Sequence, residues 1–136
     1  MNAERGLLDT STVILLGQVT DSDALPEDCV ISAVTLAELS VGPHVAGSTA
    51  ERTARQLHLQ QAEADFEVVP FDAGAARAFG AVAASLRAVG RQPAARAYDA
   101  LIAATAIAHT LPLFTCNPRD FVGIDRLEVH PVSVES

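Results

Sequence analysis

The sequence predicts an α/β fold: a three-layer α/β/α domain whose central sheet is mostly parallel and has about four to five strands. Three observations predict it. Short apolar stretches of strand length alternate with segments of helical period along the chain. The first two such units repeat one plan, strand then turn then helix. The chain is 49% hydrophobic over 136 residues, yet it has no tryptophan and only 4% aromatic residues, so alanine, valine and leucine must fill the core by close helix-on-sheet packing. A single domain covering residues 1–136 is expected from that length.

The elements follow in order. GLLDTSTVILLGQV begins as a strand ending near Asp9, after which Ser11 or Thr12 can cap a helix running to Val19. Beyond the polar stretch TDSDALPED, CVISA reads as a second strand and VTLAELSVG as a helix stopped by Gly42 and Pro43. From Ser48 to Phe66 the chain is polar and helix-permissive, with Glu51 and Arg55 spaced to support a solvated face. FEVVPF is a short strand closed by proline. Asp72 then caps a helix in which Ala75, Phe79, Val82, Leu86 and Val89 recur at four-three-four-three spacing before Gly90 ends it. Another helix covers Ala97 to His109, LPLFT forms a strand, NPRDF a turn, and LEVHPV the last strand. Strands alternating with helices imply right-handed crossovers, and ligands in such folds bind beyond the carboxyl ends of the strands.

Composition excludes several functions. The N-terminus lacks a basic segment followed by a long apolar stretch, and the longest apolar run, Ala100 to Ala108, is too short to span a bilayer, so a soluble cytoplasmic protein is expected. Cys29 and Cys116 are too few and too far apart to make a metal motif and read as small buried hydrophobes. A net charge of −8 argues against a broad basic face for nucleic acid, so any such contact must be local or metal-assisted. All nine basic residues are arginine, which excludes Schiff-base and P-loop chemistry. His44, His58, His109 and His130 are scattered and receive no catalytic role.

Most of the 17 acids sit in polar runs, but four do not. Asp9 ends an apolar strand, Glu38 interrupts VTLAELSV, Asp99 opens the apolar helix ALIAATAIA, and Asp120 lies in the turn NPRDF. Asp9 and Asp120 fall at or just beyond the carboxyl ends of strands. The helix carrying Asp99 runs antiparallel to the strands, so its start lies at the same edge. Glu38 is about 9 Å along its helix at ~1.5 Å per residue, but helical side chains lean back toward the N-terminus. Each acid also has a simpler role: Asp9 as a helix cap, Glu38 with Thr35 as a capping box, Asp99 as a first-turn acid favoured by the helix dipole, Asp120 as an ordinary turn residue. Four simple roles do not require one shared edge.

Two carboxylates about 4 Å apart repel by about 4 kcal/mol at an effective dielectric near 20. A pocket of four therefore raises some pKa values or binds a cation. All-oxygen ligands with no histidine nearby in sequence select Mg²⁺ or Mn²⁺ over zinc. Such ions lower the pKa of an attacking water and neutralise phosphate charge, which points to phosphodiester cleavage.

The pieces LLDTS, VTLAELSVG, YDALIAATA and TCNPRDF, in that order, resemble the four motifs of PIN-domain nucleases, in particular the VapC toxins of bacterial toxin–antitoxin pairs. The likeness spans nearly the whole chain. It implies a PIN-like domain acting as a Mg²⁺- or Mn²⁺-dependent endoribonuclease that cuts tRNA, rRNA or mRNA. By the same resemblance Asp9 and Asp99 would be the principal metal ligands, with Glu38 and Asp120 completing the pocket. Thr115 and Asn117 would shape the site or orient water or substrate, and Ser11 would do the same or cap the helix. A homodimer and a cognate VapB-like antitoxin, laying a helix and an extended tail across the toxin, are also implied. Arg87, Arg91 and Arg96 either contact RNA phosphates or mark a solvated helix end.

Two other acidic-pocket folds fit poorly. A haloacid-dehalogenase-like phosphatase needs a second aspartate where this chain has Ser11, and a receiver domain needs a lysine. The stronger alternative is a catalytically idle PIN-like domain that binds protein or RNA.

Overall fold

Leu7 and Leu8 are adjacent in sequence and both fully buried, a pattern that a strand shows only when its two faces are covered. The computed structural model, which describes residues 4–92 and 96–135, places them in the centre of the sheet. Strands β1 (Arg5–Leu8), β2 (Asp28–Ser32), β3 (Glu67–Val69), β4 (Leu113–Thr115) and β5 (Val129–Pro131) are all parallel, in the order β3-β2-β1-β4-β5. The expected α/β class and strand number hold.

Helices α1 (Thr10–Ile14), α2 (Ala33–Val41), α3 (Thr49–Asp65), α4 (Ala73–Ala88) and α5 (Ala97–Ala108) complete the layers. Leu7, Val30 and Leu113 point to one face and pack with Val82 and Leu86 of α4 and Ile102 of α5. Leu8, Ile31 and Phe114 point to the other, meeting Val13 of α1, Leu39 of α2 and Ala62 of α3. Each leucine taken wholly out of water in this way contributes about 2 kcal/mol. On α5 the fully buried residues include Ala103, Ala104 and Ala106, whose small side chains let the helix lie close to the sheet. The same closeness appears at Gly6 of β1, where a Cβ would collide with the Phe114 ring.

Several local expectations need correction. The first helix ends at Ile14 and gives way to a 3-10 turn over Leu16–Gln18, short of Val19, where Gly17 interrupts the helical run. Its cap is Asp9, not Ser11 or Thr12, because only Asp9 accepts from the backbone N–H of Thr12 while holding an extended φ/ψ of −77° and 173°. Ser32 caps α2 by accepting from the N–H of Val34, so Thr35 and Glu38 are not a capping box, and Thr35 is buried. Val89 is 55% exposed, since α4 ends at Ala88 and Val89 follows it as the C-cap. Asp72 does cap α4, and Gly90 adopts a φ of +78° just past its end. Cys29 and Cys116 are free and half-buried against the second core.

The strand order reverses beside β1. The chain moves outward from β1 to β2 and β3, then returns to place β4 on the other side of β1. A crevice opens at such a switch point, beyond the carboxyl ends of the two central strands, where Asp9 and Thr115 lie.

Candidate metal centre

Asp9 sits at the switch point because its strand stops there. Its backbone N–H still pairs with the Phe114 carbonyl (3.1 Å), while its side chain turns to cap α1. The carboxylate is only 4% exposed, and hydrogen bonds replace the lost water. Oδ1 accepts from the Thr12 N–H (3.0 Å) and the Thr12 hydroxyl (2.6 Å), and Oδ2 accepts from the Thr115 hydroxyl (2.7 Å). Ser11 Oγ lies 3.0 and 3.1 Å from the two oxygens. Capping and site membership were competing roles in the sequence; here one residue fills both.

Glu38 is reached from α1. Thr10 Oγ1 stands 2.6 Å from Glu38 Oε1 and 3.0 Å from Thr35 Oγ1. A hydroxyl has one proton, so with Glu38 ionised Thr10 donates to the carboxylate and accepts from Thr35. Partial burial pushes the Glu38 carboxyl up, the Thr10 hydrogen bond opposes this, and the charge of Asp9 adds to the rise.

Asp99 lies in the first turn of α5 and is held up to about 6 by burial first, then by the charges of Asp120, Asp9 and Glu38. Arg96 acts the other way. The other three sequence-selected acids therefore all act on the Asp99 carboxyl. Asp120, in the 3-10 turn Pro118–Phe121, is engaged by Arg96 at 2.6 Å, and the same Nη1 is 3.9 Å from Asp99 Oδ2. Among the described residues no three aspartate, glutamate, histidine or cysteine side chains stand close enough together to enclose an ion as they are placed. The donor set is all oxygen and mutually repelling, which fits a hard divalent cation, with Asp120 turned toward arginine.

The supporting residues divide. Thr115 and Ser11 touch Asp9 directly. Asn117 acts through its backbone N–H, which donates to Thr115 Oγ1 at 2.9 Å, while its side chain is exposed and caps nothing. Three contributors escaped the sequence reading in these roles: Thr10, Thr12 and Arg96. The triplet Thr10-Ser11-Thr12 directly after an apolar-flanked acid was the available signal for the first two. Arg96 is paired with acids and is not a merely solvated helix end, and Arg91 donates to the Val122 carbonyl at 2.7 Å. Arg87 lies in the last turn of α4.

A cleft of about 510 Å³ opens beside Glu38, lined among others by Thr10, Ile14, Leu39, Arg55 and His58. A second hollow, with Leu16 and Phe66 in its wall, shares Ile14 and His58 with it. Another cleft of about 540 Å³, between Pro43, His44 and Leu57, contains none of the four acids. Among the described residues no helix is long and apolar enough to cross a membrane.

The family model of the PIN domain matches residues 7–127. Ribonuclease VapC5 of Mycobacterium tuberculosis is 36% identical over 122 residues, which cover 88% of this chain and 87% of that protein. A solved member of the VapBC family of toxin–antitoxin systems, VapBC-5 from Mycobacterium tuberculosis, superposes with a TM-score of 0.83 at 36% identity, covering 95% of this chain and 99% of that one. FitAcB from Neisseria gonorrhoeae superposes with a TM-score of 0.73 at 27% identity, over 91% and 95% of the two chains.

Proposed function

The chain belongs to the PIN-domain family, in its VapC branch, and on that premise we propose that it is a divalent-metal-dependent endoribonuclease, the toxin of a toxin–antitoxin pair. The observation that carries the proposal is the Asp99 carboxyl, held at about 6 by burial and by Asp120, Asp9 and Glu38 together. Such mutual repulsion is what a cation relieves. Asp9 and Asp99 would hold Mg²⁺ or Mn²⁺, with Glu38 and Asp120 closing the shell. When bound, the ion supplies an activated water and neutralises charge on the scissile phosphate.

The chain's own residues supply order. Thr12 and Thr115 fix the Asp9 carboxylate, so the ligand meets the ion already oriented. Thr10 holds Glu38 from the cleft side, where an ionised Glu38 can accept a proton from water. The ribonuclease name of the Mycobacterium relative supports RNA as substrate.

Relatives solved as toxin–antitoxin assemblies support a VapB-like antitoxin as partner. The cleft beside Glu38, where Ile14 is 53% exposed, offers its helix an apolar seat that ends at the acids. A homodimer in turn would cover exposed apolar side chains such as Val89 and Val122.

The competing reading, a catalytically idle domain, draws on the open arrangement of the acids. Purified protein free of antitoxin should cleave structured RNA with Mg²⁺ or Mn²⁺ and stop in excess chelator, and Asp9→Asn or Asp99→Asn should abolish cleavage. Undiminished cleavage in chelator or in either variant would overturn the metal mechanism. Binding of RNA without cleavage under any divalent ion would establish the idle domain.

A further inference from the structure

Arg96 stands at an electrostatically poor place for a cation. It is the residue from which α5 starts, where the unpaired N–H groups of the first turn already carry positive charge. It makes no side-chain capping bond there, since a guanidinium has no acceptor. What it gains is the acid pair: Nη1 lies 2.6 Å from Asp120 Oδ1 and 3.9 Å from Asp99 Oδ2.

The two halves of the site are held differently. Asp9 is buried and fixed by hydroxyls from two elements. Asp120 is held by a guanidinium that is 47% exposed, and ion pairs in contact with water exchange readily. One half of the site is therefore rigid, and the other is closed by a replaceable charge.

We propose that Arg96 is an intramolecular counter-ion of the acidic site, occupying Asp120 and Asp99 until a divalent ion displaces it. Displacement frees the Asp120 carboxylate for the ion. The inference rests on the reading of the four acids as a metal site. Arg96 is a positioning residue in this scheme, acting through Asp120.

The test is the Mn²⁺ affinity of the full chain without RNA, read from the electron paramagnetic resonance of free Mn²⁺, for wild type, Arg96→Gln, Arg96→Lys and Asp9→Asn. Thermal midpoints are recorded in chelator and in saturating Mn²⁺. Removing a competing unit charge should tighten Mn²⁺ binding about threefold to tenfold in Arg96→Gln, with Arg96→Lys in between. The Arg96→Gln midpoint should fall in chelator and recover in Mn²⁺. Unchanged or weaker Mn²⁺ binding in Arg96→Gln, or an equal loss of midpoint with and without Mn²⁺, would make Arg96 a structural tie alone and overturn the proposal. Mn²⁺ binding by wild type but not by Asp9→Asn establishes the metal site separately from Arg96. No binding by wild type removes the metal site and this proposal with it.

Discussion

The Thr115 hydroxyl at the end of β4 donates 2.7 Å to Oδ2 of Asp9 at the end of β1, joining the two strands where the sheet order reverses. Both residues are buried, so the bond is shielded from water. Replacing Thr115 with valine keeps the shape and removes the donor. That should cost about 1–3 kcal/mol of stability and about tenfold or more in metal-dependent cleavage. Urea denaturation and RNA cleavage rates check it. Ser11→Ala should do less on both counts, because the Ser11 hydroxyl is only partly buried and divides one proton between two oxygens.

Asp99 contributes to the pH dependence of stability. Its carboxyl is raised from 3.8 to about 6 by folding, so the folded state holds the proton more tightly than the unfolded chain. The resulting stability is full below 3.8 and is lost as pH rises through about 6. In chelator at neutral pH, Asp99→Asn should therefore stabilise the protein by about 1–2 kcal/mol after allowance for solvent screening, or several degrees of midpoint. The same variant should lose cleavage. Thermal melts across pH 4 to 8 provide the check, and a variant no more stable than wild type in chelator would refute it.

Thr10→Val removes the hydrogen bond to Glu38 Oε1 and leaves the Thr35 hydroxyl without its acceptor. Because that bond favours the ionised form, the Glu38 carboxyl should rise further, moving the acid limb of the cleavage profile to higher pH. The rate should fall about threefold to tenfold at neutral pH. A pH–rate profile indistinguishable from wild type would contradict a positioning role for Thr10.

Gly6→Ala tests the sheet that carries the site. A Cβ there meets the Phe114 ring, which is itself almost fully buried, so strand or ring must shift. The cost should be about 1–3 kcal/mol by overpacking, measured as a lowered denaturation midpoint.

Strand and helix periods were legible because the sheet is covered on both faces. Runs such as Gly6–Leu8 and Cys29–Ser32 lack alternation, and the helical spacing of Ala75, Val82 and Leu86 marks one buried face. The edge shared by Asp9, Asp99 and Asp120 followed from helices running antiparallel to strands. Hydroxyl partners were not legible, since Thr10, Thr12 and Thr35 look alike in sequence, yet Thr10 meets Glu38, Thr12 meets Asp9 and Thr35 meets only the Thr10 hydroxyl. Arg96 was hidden for the same reason: its partner Asp120 is 24 residues away and meets it only when the turn after β4 folds back to the start of α5. The end of α1 was not legible because ILLGQV keeps an apolar pattern through Gly17, whereas the chain tightens into a 3-10 turn over Leu16–Gln18.

Binding of one divalent cation by the four acids is read most directly from carbon-13 NMR of the aspartate carboxyls during Mg²⁺ titration. Asp99 should ionise near 6 without Mg²⁺, its midpoint should fall when Mg²⁺ is added, and the Asp9 and Asp99 resonances should shift together and saturate. An Asp99 carboxyl that ionises in the ordinary aspartate range and ignores Mg²⁺ would contradict it.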